Sequence, residues 1–324
     1  MAFMNVEESI QNWFKALENQ GEYIHMDFWV KDLKTNQVDE YCFSHANMDG
    51  IAAINQILKT RGMEAQIDPP TIPKRMIPPQ YLQFFLFLKY LVRLPFKSVK
   101  WNISKTDWAP NGKSERPLAS RFTVLKLADS TTILTKAKEK QVHLNTYLLY
   151  YLDQALIPYY ERSDKKRVWL IPVSLRSDHM GQYDKNITGF IDGYLVDHKN
   201  IQALNSEIKN GLMKGDHFGG HFGIGIGRFI GKTLLNLLVK MNHYTQIRTG
   251  VFTNLGSWGE DKEIIDYHWG GLPPVIRSQP VGAVAGRYHG HLHLGFQMHP
   301  ILSRDPKLAK TIIDRWIQLS LAGS

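Results

Sequence analysis

A histidine and an aspartate four residues apart are the side chains best suited to chemistry, His45 and Asp49 in Ser44-His-Ala-Asn-Met-Asp-Gly50. An imidazole has an ordinary pKa of about 6.5, so His45 can act as a general base near neutral pH. Acyl transfer from a thioester to an alcohol or amine needs little more, because the thioester is already activated. We interpret Asp49 as a structural residue that holds the turn through an ion pair. Gly50 lets another segment of backbone approach closely.

The elements around this segment predict a defined position for His45. Residues 22–31 and 37–44 are rich in β-forming side chains and predict a hairpin. A helix is expected to begin at Asp49-Gly50 and to end near residue 61, and an earlier amphipathic helix is expected over 6–19. A histidine and an aspartate at this spacing also occur by chance in many proteins, so the rest of the chain has to decide their role.

Strands and helices are mixed along the remaining sequence, which predicts an α/β or α+β fold. Residues 215–227 are glycine-rich and predict a loop, with a helix after it to about Met241. The five prolines within 68–80 predict a connector, and 100–117 is expected to be loop. The other predicted strands are 122–127, 168–174, 190–196, 250–253 and the β-rich region after 264, and the other predicted helices are 130–140, 144–157, 200–214 and 305–321.

Two further patterns resemble a nucleotide-binding loop and a metal site. The glycines within 223–233 lack the spacing of a phosphate-binding loop or of a dinucleotide-binding fingerprint. His289, His291 and His293 would share one face of a strand, but successive same-face positions are roughly 7 Å apart, which is wide for one tetrahedral zinc ion. We therefore predict a polar channel wall at these histidines and no metal site.

The strand, the His-x-x-x-Asp-Gly pattern and the helix after it resemble the motif of the chloramphenicol-acetyltransferase-like superfamily, which includes the condensation domains of peptide synthetases. Four weaker patterns follow in the order seen in one branch, the bacterial wax-ester synthase/diacylglycerol acyltransferases. They are Leu144-Asn145, Ile171-Pro-Val-Ser-Leu-Arg176, Asp184-Lys-Asn186 and Phe252-Thr-Asn254-Leu-Gly256. The last two depart from the branch, with Lys185 where glycine is usual and without the usual proline before Gly256.

This resemblance implies a two-lobed fold with mixed sheets, outer helices and a tunnel between the lobes. We expect an N-terminal lobe over 1–115 and a C-terminal lobe over 116–324. His45 would be the general base, and Asp49 would pair with Arg176. The supporting residues would be Asn145, Asn254 and Ser257, and either of the last two could stabilise the oxyanion.

The function implied is transfer of an acyl group from a CoA or acyl-carrier-protein thioester to a small-molecule acceptor, with a hydroxyl preferred over an amine. A CoA or phosphopantetheine thioester would be the co-substrate, and no permanently bound cofactor or metal is expected. The alternatives are an amide-forming condensation enzyme that acts on carrier-bound substrates, and a non-catalytic member that binds an acyl group or a partner.

The sequence departs from the family in its first part. Only 44 residues precede His45, fewer than in the wax-ester and condensation types. Ser44 stands where relatives often carry a first histidine, and the D-F-G-W-G motif of the plant branch is absent. We therefore expect a shortened N-terminal lobe, completed either within this chain or by a second one, and a homo-oligomer is left open.

Composition limits the partners of the protein. The chain has 324 residues, 43% of them hydrophobic, which is enough for a sizeable core. The net charge of +9 favours acidic partners such as the phosphates of CoA or an acidic carrier protein, but no long run of Lys and Arg indicates nucleic acid. Cys42 is the only cysteine, and no secretory signal is visible, so we expect a cytoplasmic protein.

Residues 81–94 predict a helix that is apolar nearly all round. Such a helix is buried, covers an apolar substrate site, or lies at a membrane surface. In the last case the protein would contact a membrane peripherally, with Lys89 and Arg93 directed to the headgroups.

Overall fold

The computed structural model describes residues 6–63, 67, 72, 76–93, 100–103, 115–162, 164–176, 185–197, 200–226, 231–243 and 248–323. Most of the predicted connector over 68–80 and of the predicted loop over 100–117 lies outside the described residues, and so does Asp184.

Nine helices and nine strands follow one another in the described residues, with one short 3-10 helix at Ile157–Tyr159. The helices are α1 Val6–Glu18, α2 Gly50–Thr60, α3 Gln80–Arg93, α4 Leu127–Glu139, α5 Leu144–Leu156, α6 Ile201–Met213, α7 Asp216–Ile226, α8 Lys232–His243 and α9 Pro306–Ala322. The strands are β1 His25–Asp32, β2 Val38–Ser44, β3 Ser120–Val124, β4 Arg167–Ser174, β5 Thr188–Leu195, β6 Gly250–Trp258, β7 Tyr267–Leu272, β8 Val281–Tyr288 and β9 His291–Met298.

The larger sheet has six strands in the order β3-β9-β8-β6-β4-β5. It is mixed, because β6 runs parallel to β4 and β8 whereas the other pairs are antiparallel. Helices α4, α5, α6 and α9 pack on its outer side, where Trp169 and Trp316 are fully buried in the main hydrophobic core. The apolar faces of these helices are covered by the sheet, which stabilises both layers.

The smaller sheet carries the His45 segment and has three antiparallel strands in the order β2-β1-β7. Helix α2 packs on it through Ile54 and Ile57, within a second hydrophobic core. Two sheets with outer helices form the two-lobed α/β fold that the sequence predicts. Strand β7 comes from beyond residue 116, so the first sheet is not made of 1–115 alone, and the lobe boundary near residue 115 stays a prediction.

Helix α7 corrects the sequence analysis, since the loop predicted over 215–227 is wrong. Residues Asp216–Ile226 form a helix despite four glycines, and two of these, Gly219 and Gly223, let α7 pack very closely on α3. A Cβ atom on Gly219 would lie 2.7 Å from the main-chain carbon of Leu86, and one on Gly223 would lie 2.5 Å from the ring of Phe87. Tertiary packing here outweighs the poor helix propensity of glycine.

This packing gives a first prediction. Gly219→Ala should destabilise the protein by about 1–3 kcal/mol, because the new methyl group meets backbone that cannot move aside cheaply. Gly225→Ala on the same helix is the matched control, since a Cβ there has no neighbour within 4 Å and should stabilise the helix by up to about 1 kcal/mol. Urea unfolding midpoints of the two variants measure the difference, and equal midpoints would contradict this packing.

Candidate active site

His45 follows strand β2 directly and is held by main-chain contacts on both sides. Its amide donates to the Ile24 carbonyl at 3.1 Å, and its carbonyl accepts from Asn186 Nδ2 at 2.7 Å. In the ring, Nδ1 lies 3.1 Å from the Met48 carbonyl oxygen, which can only accept, so Nδ1 carries the proton in the neutral ring. The remaining nitrogen, Nε2, is then the one with a free lone pair.

The surroundings of His45 favour the neutral ring. Burial lowers the pKa of His45 below its ordinary value, and this outweighs the opposing effects of the Met48 carbonyl and of the Asp49 carboxylate. The ring of Phe14 on α1 packs against the imidazole edge-on, with centroids 5.0 Å apart. A neutral imidazole at neutral pH is the form that can accept a proton.

Asp49 and Arg176 form a buried, bidentate ion pair. Arg176 Nη1 donates to Asp49 Oδ2 at 2.8 Å, and Nη2 donates to Oδ1 at 3.0 Å. Both residues are buried, at 6% and 2% exposure. The amide of Ile187 and the hydroxyl of Thr188 add contacts to Oδ2, each at 3.3 Å. The carboxylate is thus saturated with donors and serves to hold the segment in place.

Asp49 also starts helix α2. Its Oδ1 accepts from the amide of Ala52 at 3.0 Å, an N-cap hydrogen bond that satisfies one of the free donors of the first turn. The next residue, Gly50, lies against strand β6, where a Cβ atom would be 2.5 Å from Leu255 Cδ2. One aspartate thus joins α2, the end of β4 and the start of β5, and the glycine after it lets β6 approach.

A cavity of about 690 Å³ lies beside His45. One wall comes from β4, β5 and β6 of the larger sheet and from the His45 segment, and helices α1, α3, α7 and α8 form the other side. Its lining is mostly apolar, with aromatic side chains from α1 and α3 such as Trp13 and Tyr90. This volume lies within the range of small-molecule sites.

The two supporting asparagines are brought together. Asn254 lies on the cavity wall, its Nδ2 donates to Asn145 Oδ1 at the start of α5, and its Oδ1 accepts from the amide of Gly256 at 2.8 Å. Ser257 is placed differently. It is exposed, accepts from Arg287 Nε at 3.0 Å and is not among the cavity-lining residues. A bulge between Asn254 and Ser257 turns the strand away from the cavity at this point.

Of the three alternating histidines, His291 and His293 lie on β9, whereas His289 lies in the turn before it, so the three do not share one strand face as predicted. His289, His291 and His293 each place a ring nitrogen against a main-chain carbonyl oxygen, at 2.5 Å, 3.1 Å and 2.5 Å. None of the three lies on the wall of the cavity beside His45, so the channel wall predicted there is not found at this cavity. Among the described residues, no group of three or more His, Cys, Asp or Glu side chains is arranged to hold a metal ion.

One charged residue of the cavity was missed by the sequence analysis. Arg248 precedes β6, lines the cavity and pairs with Asp192 of β5, with Nε 2.9 Å from Oδ1. Nothing in the sequence separates a buried arginine from the many on the surface. The strand assignments place Asp192 within β5 but give no reason to join it to residue 248.

No family model matches the chain, and no curated protein matches its sequence. Solved structures nevertheless share its fold. The trichothecene 15-O-acetyltransferase from Fusarium sporotrichioides matches with a TM-score of 0.56 and 12% identity, over 88% of this chain and 66% of that one. The starter condensation domain of rhizomide synthetase, solved with C8-CoA and Leu-SNAC, gives 0.54 and 11%, over 88% and 65%.

A third neighbour is the cyclization-docking bidomain from Sorangium cellulosum, with a TM-score of 0.55 and 8% identity, over 88% of this chain and 59% of that one. At these identities the likeness establishes the fold, which is that of the chloramphenicol-acetyltransferase type. The chain spans about two thirds of the length of the acetyltransferase and of the starter domain. No wax-ester synthase is among these three neighbours, so that resemblance stays a prediction.

The ion pair gives a second prediction. Arg176→Ala should cost about 3–5 kcal/mol of unfolding free energy, because it leaves the Asp49 carboxylate buried without its counter-charge. Asp49→Asn should also destabilise, because it leaves the buried Arg176 guanidinium without its counter-charge. Arg304→Ala is the control, since Arg304 contacts Glu115 at the same distance of 2.8 Å but on the surface, where such pairs contribute at most about 1 kcal/mol. Thermal unfolding that is equally affected in the Arg176 and Arg304 variants would argue against a structural role for the buried pair.

Proposed function

We propose that this protein is an acyltransferase that moves an acyl group from a CoA or acyl-carrier-protein thioester to a hydroxyl group, with His45 as general base. The observation that carries the proposal is the His45 ring on the cavity wall, with Nδ1 held by the Met48 carbonyl oxygen. That hydrogen bond leaves Nε2 as the basic nitrogen. The fold shared with an acetyltransferase and with condensation domains supports the same reading.

In the proposed reaction, Nε2 of His45 takes the proton of the acceptor hydroxyl as its oxygen attacks the thioester carbonyl. A tetrahedral intermediate forms, and its collapse breaks the carbon–sulfur bond. The departing thiolate receives the proton from the imidazolium, which returns the ring to its neutral form. The products are an ester and a free thiol, and the enzyme forms no covalent bond to the acyl group.

The oxyanion of that intermediate needs a hydrogen-bond donor. Asn254 is our candidate, because it lies on the cavity wall and one hydrogen of its amide remains after the bond to Asn145. Ser257 is a poor candidate, since its exposed hydroxyl lies outside the cavity lining. The mostly apolar walls suit an acyl chain, and the net charge of +9 suits the phosphates of a CoA or carrier-borne phosphopantetheine co-substrate.

An amide-forming condensation on carrier-bound substrates is the second candidate. The likeness to a starter condensation domain favours it. The two functions use the same base and differ in the acceptor, so a panel of alcohols and amines, offered free and as carrier thioesters, separates them. Faster transfer to a free alcohol than to a carrier-bound amine supports the first function.

The third prediction concerns His45. His45→Ala should lower kcat/KM for acyl transfer by about 10² or more, because no other group takes the acceptor proton. In the wild type, kcat/KM should fall on the acid side with a midpoint below the ordinary histidine value, since burial lowers the pKa of His45. Release of free thiol from acyl-CoA in the presence of an alcohol measures both.

His143→Ala is the matched control, since His143 is exposed at the start of α5 and outside the cavity lining. Its rate should equal that of the wild type. If the His45 variant also transfers at the wild-type rate, His45 is not the base. If neither the wild type nor the control transfers any acyl group across the panel, the non-catalytic alternative is favoured.

We further propose that helix α3 contacts a membrane surface. Lys89 and Arg93, which were expected to face the headgroups in that case, contact Asp216 of α7 at 2.6 Å and 3.3 Å. The support is an exposed apolar stripe with helical spacing, while Phe87 and Tyr90 of the same helix line the cavity. The stripe consists of Tyr81, Phe84, Phe85, Leu88, Leu91 and Val92. No helix among the described residues is long and apolar enough to cross a membrane.

The fourth prediction tests this contact. Val92→Glu should weaken cosedimentation with vesicles of phosphatidylcholine and phosphatidylglycerol roughly tenfold or more, because Val92 is 87% exposed on the stripe and would lose its burial in lipid. Val38→Glu, at a valine that is 47% exposed at the start of β2, is the control and should bind like the wild type. Equal vesicle binding by all three proteins would refute the contact. A change in solution mass in Val92→Glu alone would instead indicate that a second copy of the chain covers the stripe.

A further inference from the structure

Arg248 is a cation in the wall of a mostly apolar cavity. The residue is 8% exposed, and within the described part of the chain its Nη2 is buried without a hydrogen-bond partner. Burial lowers the pKa of Arg248 to about 10. An unpartnered N–H on a buried guanidinium is costly, since that donor has lost water and gained no acceptor in return. A buried donor without an acceptor is found where a bound ligand supplies the missing hydrogen bond.

Its neighbours hold the guanidinium but do not provide a hydrogen-bond acceptor for Nη2. Asp192 Oδ1 contacts Nε at 2.9 Å, on the side of the group nearest its own chain. The rings of Tyr90 and Phe190 lie 5.7 Å and 5.4 Å from the guanidinium carbon, at distances typical of cation–π contacts. Contacts to rings and to Nε keep the group in position and leave a terminal nitrogen for another acceptor.

The other two buried arginines among the described residues are used differently. Arg176 is bidentate to Asp49, and Nη2 also donates to the Lys185 carbonyl oxygen at 3.2 Å. Arg167 contacts one carboxylate through Nε and a second through Nη1. Arg176 lines the cavity, but its guanidinium is held by Asp49, and Arg167 is not on the cavity wall. Arg248 therefore differs from the structural arginines of the same molecule.

Strand β5 relates Arg248 to the proposed catalytic centre. Thr188, Phe190 and Asp192 alternate along one face of β5, while Ile191 on the other face is buried in the main core. Thr188 contacts Asp49, Phe190 lines the cavity and Asp192 contacts Arg248. Four residues of strand separate the two ends by roughly 13 Å. The cavity therefore has the His45–Asp49 segment towards one end and a guanidinium towards the other.

We propose that Arg248 binds a carboxylate group on the substrate, at the end of the cavity away from His45. This inference rests on the proposed acyl transfer for its catalytic part. The carboxylate would be carried by the distal end of an apolar acyl chain or of the acceptor. Its oxygens would accept from the terminal nitrogens of Arg248, while the apolar walls enclose the chain between the two ends.

The local charges favour a single negative charge over a phosphate dianion. Burial raises the pKa of Asp192 to about 7, against the opposing effects of Lys166 and of a hydrogen bond with Tyr194. Lys166 is itself drawn to the Tyr194 ring, with Nζ 3.8 Å from its centroid. Near neutral pH, Asp192 can therefore take up a proton as the ligand binds, and Arg248 is left to pair with one carboxylate.

The first experiment measures binding and needs no catalysis. Isothermal titration calorimetry with octanoate and with octanamide compares ligands of one shape that differ in charge. The wild type should prefer octanoate, and Arg248→Met should reduce that preference roughly 10- to 100-fold, as expected for the loss of a hydrogen bond to a charged group. Asp192→Asn should increase the preference, because it removes the competing negative charge. Arg287→Met, at an arginine outside the cavity lining, should leave it unchanged.

The second experiment identifies which substrate carries the carboxylate. The ratio of kcat/KM for suberoyl-CoA over octanoyl-CoA tests the acyl chain, and the ratio for ω-hydroxyoctanoate over octanol tests the acceptor. One ratio should exceed unity in the wild type and fall roughly 10- to 100-fold in Arg248→Met. The substrate pair whose kcat/KM ratio falls in Arg248→Met identifies whether the acyl chain or the acceptor carries the carboxylate.

The outcomes separate this inference from the proposed function. If the wild type does not prefer octanoate, or if the Arg248 and Arg287 variants show the same preference, the inference is overturned. The unfolding midpoint of Arg248→Met shows whether this variant is folded. The increased preference for octanoate expected of Asp192→Asn is a second test that does not depend on Arg248→Met. Charge-selective binding without any acyl transfer would support the carboxylate site and contradict the acyltransferase proposal.

Discussion

The ion pair between Asp49 and Arg176 is the interaction on which the candidate site depends. It joins the start of α2 to the end of β4, and the contacts of Ile187 and Thr188 to the same carboxylate add the start of β5. The turn that carries His45 lies between β2 and this aspartate. Without the pair, two buried charges would separate and the turn would lose its support from the larger sheet. In the proposed mechanism the carboxylate therefore positions the base and takes no part in proton transfer.

The cavity owes its apolar lining to helices that approach one another unusually closely. Glycines of α7 let α3 lie against it, and α3 then places aromatic side chains over the sheet. The neutral imidazole of His45 lies towards one end of this space, and Arg248 with Asp192 lies towards the other. In a low-dielectric site of this kind a few polar groups fix the orientation of a ligand, while the walls provide the affinity.

How far the sequence predicted this site depends on the kind of signal each residue carries. His45, Asp49 and Arg176 follow from ordered motifs, and the hairpin and α2 follow from periodicity and capping. The glycines of α7 predicted a loop because helix propensity is local, whereas the neighbour that stabilises the helix, α3, lies more than a hundred residues earlier. Ser257 was proposed beside Asn254 because a strand bulge cannot be read from residue types. Arg248 and Asp192 carry no local pattern at all, since their pairing arises only when β5 and β6 enter one sheet.

If His45 acts on a thioester inside the cavity, a structure with a bound substrate analogue will show the thioester position beside the imidazole. An octanoyl-CoA analogue with a methylene group in place of the thioester sulfur cannot transfer its acyl group. Its carbonyl carbon should lie close to His45 Nε2, with room for an acceptor oxygen within about 3 Å of that nitrogen, and its chain should extend along β5 towards Arg248. An analogue bound outside the cavity, or with its carbonyl group directed away from His45, would show that His45 is not the base for this thioester.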